Sequence, residues 1–269
     1  MKSAGSSGVF HILHSDNMME KQNLSSIKKA ILILEQLAED PYEYTAQSLA
    51  QETGINITTI YRVIYQLEEE NMVVMDRETR KYKVGPNAYH IGATYVYNNN
   101  CMKQIEYILM ELSEKTGESV GLAIQEQDKI ISAIEIVGHS PMKIYDVPGR
   151  IYSPNKGNYG KCIMAFQSQE YIEAYLDTHT FEKTFPAVLT GKDELLAEYS
   201  KIRLQGYSES VDEQGMDVIG TGIPLFNHSG KIWGCIAIAF FREDGWEQKL
   251  KEVRNVALSY KDAIEQYLP

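Results

Sequence analysis

Residues 53–64 read Thr-Gly-Ile-Asn-Ile-Thr-Thr-Ile-Tyr-Arg-Val-Ile, and this stretch decides how the first part of the chain folds. Gly54 supplies a turn, and the side chain of Asn56 can cap the helix that follows. In that helix the apolar residues recur at helical spacing and form one stripe: Ile60, Val63, Ile64 and Leu67. The stretch therefore predicts a turn and then a helix that buries one side and exposes a polar face.

Helices precede this stretch and strands follow it. Apolar spacing predicts a helix over 27–38 and a short helix over 45–51. The runs 72–75 and 81–84, joined by the polar turn 76–80, predict a hairpin. Two helices around a glycine turn, followed by a strand pair, are typical of a winged helix-turn-helix, whose second helix enters the major groove of DNA.

The exposed faces of this second helix and of the hairpin carry the side chains that we predict to contact DNA. Arg62 has the planar fork that suits guanine or phosphate, and small hydroxyls one turn earlier can reach bases or phosphates. The predicted DNA-binding residues are Thr58, Thr59, Tyr61, Arg62, Arg77, Arg80, Lys81 and Lys83. The alternative is an ordinary helical hairpin whose arginine lies over the protein surface.

The overall charge argues against a protein that coats nucleic acid. The 269 residues carry a formal net charge of −11, and residues 24–98 hold seven Lys or Arg against ten Asp or Glu. Any DNA affinity must therefore come from the local placement of cations. The hydrophobic fraction of 43% is enough for true cores, and the length suits two domains.

Cysteine count and apolar runs limit the class of protein further. The cysteines Cys101, Cys162 and Cys235 are odd in number and lack Cys-x-x-Cys spacing, which argues against a disulfide framework and a structural zinc site. The longest strictly apolar run, 235–241, is far shorter than a bilayer span. We expect a soluble, cytoplasmic protein with reduced thiols, no metal, no cofactor and no membrane partner.

Composition along the chain predicts four segments. Residues 1–22 show no sustained period and are interpreted as a flexible leader without assigned function. A winged helix-turn-helix domain follows over 23–86, and a connector helix over 87–100 ends in Asn98-Asn99-Asn100. The larger domain occupies 101–269.

The larger domain alternates hairpins and helices without regular β-α-β order. Strands are predicted at 119–125, 129–137, 142–147, 218–226 and 231–241. Helices are predicted from Ile105 to Gly117, over 160–167, 169–177 and 191–205, and at the C-terminus. The pattern indicates an α+β fold with a mostly antiparallel sheet. Residues 155–161 are predicted as a flexible loop that enters a helix, where free N–H groups and the helix dipole favour an anion such as a carboxylate.

Several motifs, in order, resemble the IclR-type transcription regulators. The runs Ser26-Ile-Lys-Lys-Ala-Ile-Leu-Ile-Leu, 53–64 and Arg80-Lys-Tyr-Lys-Val-Gly-Pro resemble the N-terminal domain of that family. In the larger domain the matching motifs are Gly149-Arg-Ile-Tyr, Gly160-Lys-Cys-Ile-Met-Ala, Gly206-Tyr, Asp212-Glu and Ile223-Pro-Leu-Phe. The resemblance covers about residues 24–268. It implies dimers, often dimers of dimers, that bind an operator and respond to a metabolite held in a GAF-like domain.

The resemblance also implies a ligand site at the 155–161 loop and on two facing strands. Carried over to this chain, the effector-binding residues are Tyr145, Asn158, Tyr159, Ser210, Val218, Gly220, Ala237 and Ala239. Relatives that bind small organic acids commonly have serine at the last two positions, so alanine makes this pocket less polar. Asp217 and Ser153 stand where the family pattern has glycine and proline. The same strand and tyrosine residues are equally compatible with simple core packing.

The sequence therefore predicts a DNA-binding regulator, a repressor, controlled by an organic or sugar acid. Its partners would be double-stranded operator DNA, the small-molecule effector and a second copy of the chain, in a homodimer or a tetramer. One alternative is a larger domain that binds a protein partner. The other is a thiol enzyme using Cys162 with His139, His179 or His228; no nucleophile elbow or other catalytic motif accompanies these residues, so we predict no enzyme activity.

Overall fold

The computed structural model describes residues 24–97, 100–144 and 146–269 of the chain. The predicted leader, 1–22, lies outside the described residues. The chain divides into two compact units between Asn99 and Asn100. Within the described residues, no helix is both long enough and apolar enough to cross a membrane.

The first unit contains helices around a short hairpin. In chain order its elements are α1 (Ser26–Leu37), α2 (Ala46–Thr53), α3 (Ile57–Glu69), β1 (Val73–Met75), β2 (Tyr82–Val84) and α4 (Pro86–Tyr97). The apolar stripes of α1, α2 and α3 meet in one core, and the residues completely or almost completely buried there include Ile33, Leu37, Leu49, Ile60 and Ile64. This arrangement is the predicted winged helix-turn-helix.

Side-chain caps set the starts of α2 and α3. The Thr45 hydroxyl accepts a hydrogen bond from the Ser48 N–H at 3.1 Å, and Asn56 Oδ1 accepts one from the Thr58 N–H at 2.9 Å. Each cap satisfies a backbone donor that a helix start leaves without a partner. Gly54 ends α2 with φ of 69°, a left-handed conformation that glycine adopts without steric cost. The turn between the two helices is therefore determined by local sequence, as predicted.

The hairpin gains a third partner from the segment before α2. β1 and β2 pair antiparallel, from Val73 opposite Val84 to Met75 opposite Tyr82. The N–H of Tyr44 donates to the carbonyl of Tyr82 at 3.0 Å, and the N–H of Tyr82 donates back at 2.7 Å. The sequence predicts the hairpin but not the Tyr44 bridge, because the partners are distant in the chain.

The second unit is built on one sheet. Its elements are α5 (Asn100–Thr116), β3 (Ser119–Glu126), β4 (Lys129–Ile136), β5 (Ile151–Tyr152), α6 (Gly157–Ala165), α7 (Gln169–Thr178), α8 (Lys192–Gln205), β6 (Ser208–Val211), β7 (Val218–Phe226), β8 (Ile232–Phe241) and α9 (Trp246–Glu265). The strands lie in the order β5-β4-β3-β8-β7-β6, and every neighbouring pair is antiparallel. The α+β fold with an antiparallel sheet is therefore confirmed.

The two faces of this sheet differ in side-chain size. The large face carries bulky aliphatic and aromatic residues, including Leu122, Ile223, Ile236, Ile238 and Phe240, and packs against α5 and α9. The small face carries glycine, alanine, serine and cysteine, including Gly121, Ala123, Gly220, Gly222, Cys235 and Ala237, and packs against α6. Alternate residues of a strand point to opposite faces, so each central strand contributes to both.

Three local predictions for the second unit are wrong. The described residues of segment 142–147, which are 142–144 and 146–147, form no strand; instead β5 pairs with β4, and the Ser119 hydroxyl donates to the Ile144 carbonyl at 2.7 Å. Strand β6 is not predicted, because Ser-Glu-Ser-Val is short and polar. Helix α6 begins at Gly157, so Asn158 and Tyr159 lie in its first turn and not in a flexible loop.

Candidate DNA-binding surface and ligand site

Helix α3 buries one side and leaves a polar and aromatic face exposed. Ile60, Val63 and Ile64 are buried in the first unit, as the apolar spacing predicts. Thr58, Tyr61 and Arg62 are exposed, with 53% of Tyr61 accessible, and Thr59 is half-buried. Within the described residues Arg62 makes no ion pair, so its guanidinium is available to a ligand from solution.

Charge changes sign along α3. Its C-terminal end carries Glu68 and Glu69 and is followed by Glu70, while its first three turns carry Arg62 and no acid. The Tyr65 hydroxyl hydrogen-bonds with Glu69, and this contact raises the pKa of the exposed Tyr65. A polyanion would therefore meet the N-terminal half of α3 and avoid its end, which is the docking geometry of a recognition helix.

The turn of the hairpin holds a fixed shape and presents cations. The Asp76 carboxylate accepts hydrogen bonds from the N–H groups of Glu78 at 2.8 Å and Thr79 at 3.0 Å, and these bonds lower the pKa of Asp76. Its basic residues Arg77, Arg80 and Lys83 are exposed. Lys81 is half-buried, and its Nζ lies 3.7 Å from Glu43 Oε2, so it is less available than the other three.

The predicted effector residues of the second unit come together on the small face. One row across the sheet reads Ser210, Gly220, Ala239 and Ser119, and the next reads Ser208, Gly222, Ala237, Gly121 and Glu135. Val218 lies two residues before Gly220 on the same face and is half-buried, as is Ala239. Tyr145 lies outside the described residues.

Helix α6 approaches this face so closely that the strands need glycine. A Cβ at Gly220 would lie 2.3 Å from Asn158 Nδ2, and a Cβ at Gly121 would lie 2.0 Å from the Tyr159 hydroxyl. Asn158 is 5% exposed, and its Oδ1 is the one buried side-chain oxygen or nitrogen in the described residues that has no hydrogen-bond partner. A buried acceptor without a partner costs free energy unless a further group satisfies it.

An internal carboxylate occupies the start of α6. Glu213 Oε2 accepts a hydrogen bond from the Gly157 N–H at 2.8 Å, and Oε1 accepts one from Lys161 Nζ at 2.6 Å. Lys161 is 2% exposed and also donates to Glu198 at 2.9 Å and to the Glu209 carbonyl at 2.9 Å. Burial raises the pKa of Glu213 despite the favourable contact with Lys161. The anion expected at this helix start is therefore the chain's own Glu213.

A second acid, the half-buried Glu135, lies beside the predicted residues and was not among them. Its carboxylate accepts hydrogen bonds from the Ser132 hydroxyl and from the Tyr159 hydroxyl, the latter at 3.1 Å. Burial raises the pKa of Glu135 to about 7, and nearby Asp146 contributes to the shift. The signal in the sequence is a lone acid in the apolar strand Lys-Ile-Ile-Ser-Ala-Ile-Glu-Ile.

Cys162 does not form a nucleophilic site. Its side chain is completely buried on α6, where it hydrogen-bonds with the Cys235 thiol, and burial raises the pKa of Cys235. A nucleophilic cysteine needs access and a lowered pKa. His179 Nδ1 contacts the Tyr175 carbonyl at 2.9 Å, and its ring stacks on Tyr175 with centroids 3.8 Å apart. The thiols of this pair therefore act as packing groups.

Comparison with known proteins identifies the family of both units. Two family models match the chain: the IclR helix-turn-helix domain over residues 26–77 and the bacterial transcriptional regulator IclR C-terminal domain over residues 93–265. The chain is 24% identical to the HTH-type transcriptional regulator KdgR of Dickeya chrysanthemi, over 91% of this chain and 82% of that protein. It is 22% identical to the transcriptional repressor IclR of Escherichia coli, over 80% of each.

A solved structure shows the same fold. The crystal structure of an IclR transcriptional regulator from Alicyclobacillus acidocaldarius matches with a TM-score of 0.77 and 20% identity, covering 92% of this chain and all of that one. The matching family models and relatives are transcription regulators and not enzymes. The chain therefore belongs to the IclR family and is a DNA-binding transcription regulator with an effector-binding C-terminal domain.

Proposed function

We propose that this protein is a repressor that reads operator DNA with α3 and the hairpin and releases or binds that DNA in response to a small molecule on the small face. The observation that carries the DNA half is the exposed Thr58, Tyr61 and Arg62 face of α3. The observation that carries the sensing half is the unpartnered Asn158 Oδ1 above Gly220. Such a regulator would act in the cytoplasm.

The repressor role is supported by the similarity to the transcriptional repressor IclR of Escherichia coli. A repressor acts by occupying its operator. A ligand changes the operator affinity when it binds two conformations of the protein with different affinities. Linkage makes this effect reciprocal, because a ligand that weakens DNA binding by some factor is bound more weakly by the same factor when DNA is present.

Two helices of the first unit expose apolar residues that could form a contact between two copies of the chain. α1 exposes Ile27 and Ile31, and α4 exposes Tyr89 and Ile91, with accessible fractions between 48% and 77%. Apolar surface of this kind marks interaction sites. We propose a homodimer, able to pair further into a tetramer, that reads a pseudo-palindrome with half-sites about 34 to 36 Å apart or a multiple of this.

The test is selection of operator sequences from a random double-stranded library by the full-length protein. Affinity for the selected DNA is then compared between wild type and Arg62→Ala, with Lys251→Ala as a control that removes an exposed cation from α9. Because a bidentate base contact is lost, we expect Arg62→Ala to cost roughly 1 to 3 kcal/mol of specific binding. Unchanged operator affinity in Arg62→Ala would contradict the assignment of α3 as the recognition helix.

The cations of the hairpin provide a weaker test. Arg80→Ala or Lys83→Ala should weaken binding to all sequences alike and reduce the slope of log affinity against log salt by about 1. Electrophoretic mobility or fluorescence anisotropy titrations at several salt concentrations measure both effects. A change in sequence preference without a change in slope would assign these residues to base recognition instead.

A further inference from the structure

A shallow cleft lies where the turn between β3 and β4 meets α6 and α7. It has about 230 Å³ of space, including its open mouth, which suits a small molecule or a small head group. Its walls are rich in tyrosine and include Tyr152, Tyr171, Tyr175, Met164, Gln125 and Asp128. None of the predicted effector-binding residues that the structure describes is among the lining residues. The cleft is therefore a separate candidate site.

The tyrosine rings of the cleft are held in place by neighbouring rings. Those of Tyr171 and Tyr175 stack with centroids 6.1 Å apart, and the Tyr175 ring stacks on His179 at 3.8 Å. The Tyr152 ring packs edge-on against Tyr159, with centroids 4.8 Å apart. Because these walls are already ordered, a ligand loses little free energy in arranging them.

Among the described lining residues, Asp128 is the one that carries a charge. Its side chain is exposed in the turn between β3 and β4 and makes no ion pair or hydrogen bond with the described part of the chain. Burial raises the pKa of Tyr171 and the pKa of Tyr175, the latter to about 12, and the Asp128 carboxylate adds to both shifts. Both phenols are therefore neutral near pH 7, and the negative charge lies close enough to act on both.

The amide in the wall of the cleft is engaged by the protein. Gln125 Nε2 donates to the Gln127 carbonyl at 2.9 Å and to the Tyr171 hydroxyl at 3.3 Å, and Gln125 Oε1 accepts from Gln167. A primary ammonium is strongly hydrated and needs acceptors for its N–H groups, whereas a quaternary ammonium needs none. Neutral aromatic walls with few available acceptors therefore favour the quaternary cation.

We propose that this cleft binds a small quaternary ammonium compound, with the cation among the three tyrosine rings and beside Asp128. Aromatic rings attract a cation to their faces, most strongly when the cation is desolvated. A small anion would meet Asp128 without any cation in the described walls, and a neutral molecule of the same shape would lose the attraction of the rings and of the carboxylate. This site is additional to the small face and does not depend on the sensing function proposed there.

The experiment is a calorimetric titration of the full-length protein with two probes of the same shape. Choline carries a trimethylammonium group, and 3,3-dimethylbutan-1-ol has a neutral carbon in place of the nitrogen. At low and fixed ionic strength, which preserves the attraction of Asp128, we expect choline to bind about five-fold or more tighter than the neutral probe. Titration without operator DNA keeps this test independent of the proposed repressor function.

Variants locate the binding. Tyr175→Leu removes one ring and should weaken choline about three-fold or more, whereas Tyr175→Phe keeps the ring and should bind choline nearly as well as wild type. Asp128→Asn removes the charge at the same size, keeps a residue suited to the turn and should also weaken choline about three-fold or more. The matched control is Asp244→Asn, which changes an exposed aspartate just before α9 and should bind choline like wild type.

Three results would each overturn the proposal. The first is equal affinity for the two probes, and the second is no choline binding up to tens of millimolar. The third is full choline affinity in Asp128→Asn or in a folded Tyr175→Leu variant, because the cation would then lie elsewhere. If Tyr175→Leu does not fold, Asp128→Asn decides the question by itself, since the side chain of Asp128 is exposed.

Discussion

The two faces of the six-stranded sheet share the same strands but differ in the kind of side chain that they bury. On the large face, residues such as Leu122 and Ile236 are fully buried in an apolar cluster with residues of α5 and α9. On the small face, glycine and alanine let α6 come close, and buried charges and amides fill the contact. One face stabilises the unit by burying apolar area, and the other holds buried polar groups joined by hydrogen bonds and ion pairs.

The largest expected effect lies beside the small face, at the buried charge cluster. Lys161→Met leaves the buried Glu213 without its cation and Glu198 with only the exposed Lys201, and breaking a buried ion pair costs about 3 to 5 kcal/mol. Both tryptophans, Trp233 and Trp246, lie in the second unit, so their fluorescence during urea unfolding reports its stability. Adding Glu213→Gln to Lys161→Met should recover part of the loss. Equal stability of wild type and Lys161→Met would show that the cluster contributes nothing to folding.

The large face provides the next test. Leu122→Ala deletes buried methyl groups from the centre of the core and should cost about 2 to 5 kcal/mol in the free energy of unfolding. Val218→Ala, at the half-buried edge of the small face, should cost about 1 kcal/mol or less. Similar losses in the two variants would remove the energetic distinction between the faces. Tryptophan fluorescence in urea measures both.

A smaller effect concerns pH. The folded state raises the pKa of Glu135 from 4.5 to about 7, so between these values the folded protein holds the proton more tightly than the unfolded chain. Stability from this group is therefore fully present below about pH 4.5 and falls as pH rises through 7, by about 3 kcal/mol in total. Glu135→Gln should remove this component of the pH dependence and keep the part with the same sign that comes from Glu213. An unchanged pH profile in Glu135→Gln would assign the titration elsewhere.

The sequence predicts elements whose causes are local. Asn56 and Gly54 determine the turn before α3, and the apolar run of β7 predicts Val218–Phe226 with the bounds that the structure has. A strand is also predicted over 142–147, but the described residues of that segment, 142–144 and 146–147, pair with no strand. The apolar pattern of a segment does not show whether a partner strand lies beside it in the fold.

The candidate sites also differ in whether they depend on local sequence or on distant residues. The exposed face of α3 follows from helical spacing, so Thr58, Tyr61 and Arg62 could be placed from the sequence. The roles of Glu135 and Glu213 could not, because both depend on residues far along the chain that approach only in the fold. Glu213 is 56 residues from the Gly157 N–H that it accepts. The sequence predicts that the N–H groups at this helix start are free for a ligand, whereas in the structure Glu213 accepts the hydrogen bond of the Gly157 N–H.

The Tyr44 bridge bears on how much association with DNA costs in entropy. A two-stranded hairpin alone is marginally stable in water, and ordering a mobile segment on binding reduces affinity. Backbone pairing with Tyr44 anchors β2 to the segment before α2, and the Tyr44 hydroxyl is itself held by the Asp40 carbonyl at 2.6 Å. The backbone that carries the hairpin cations is therefore positioned during folding, and the encounter with an operator has less backbone freedom to remove.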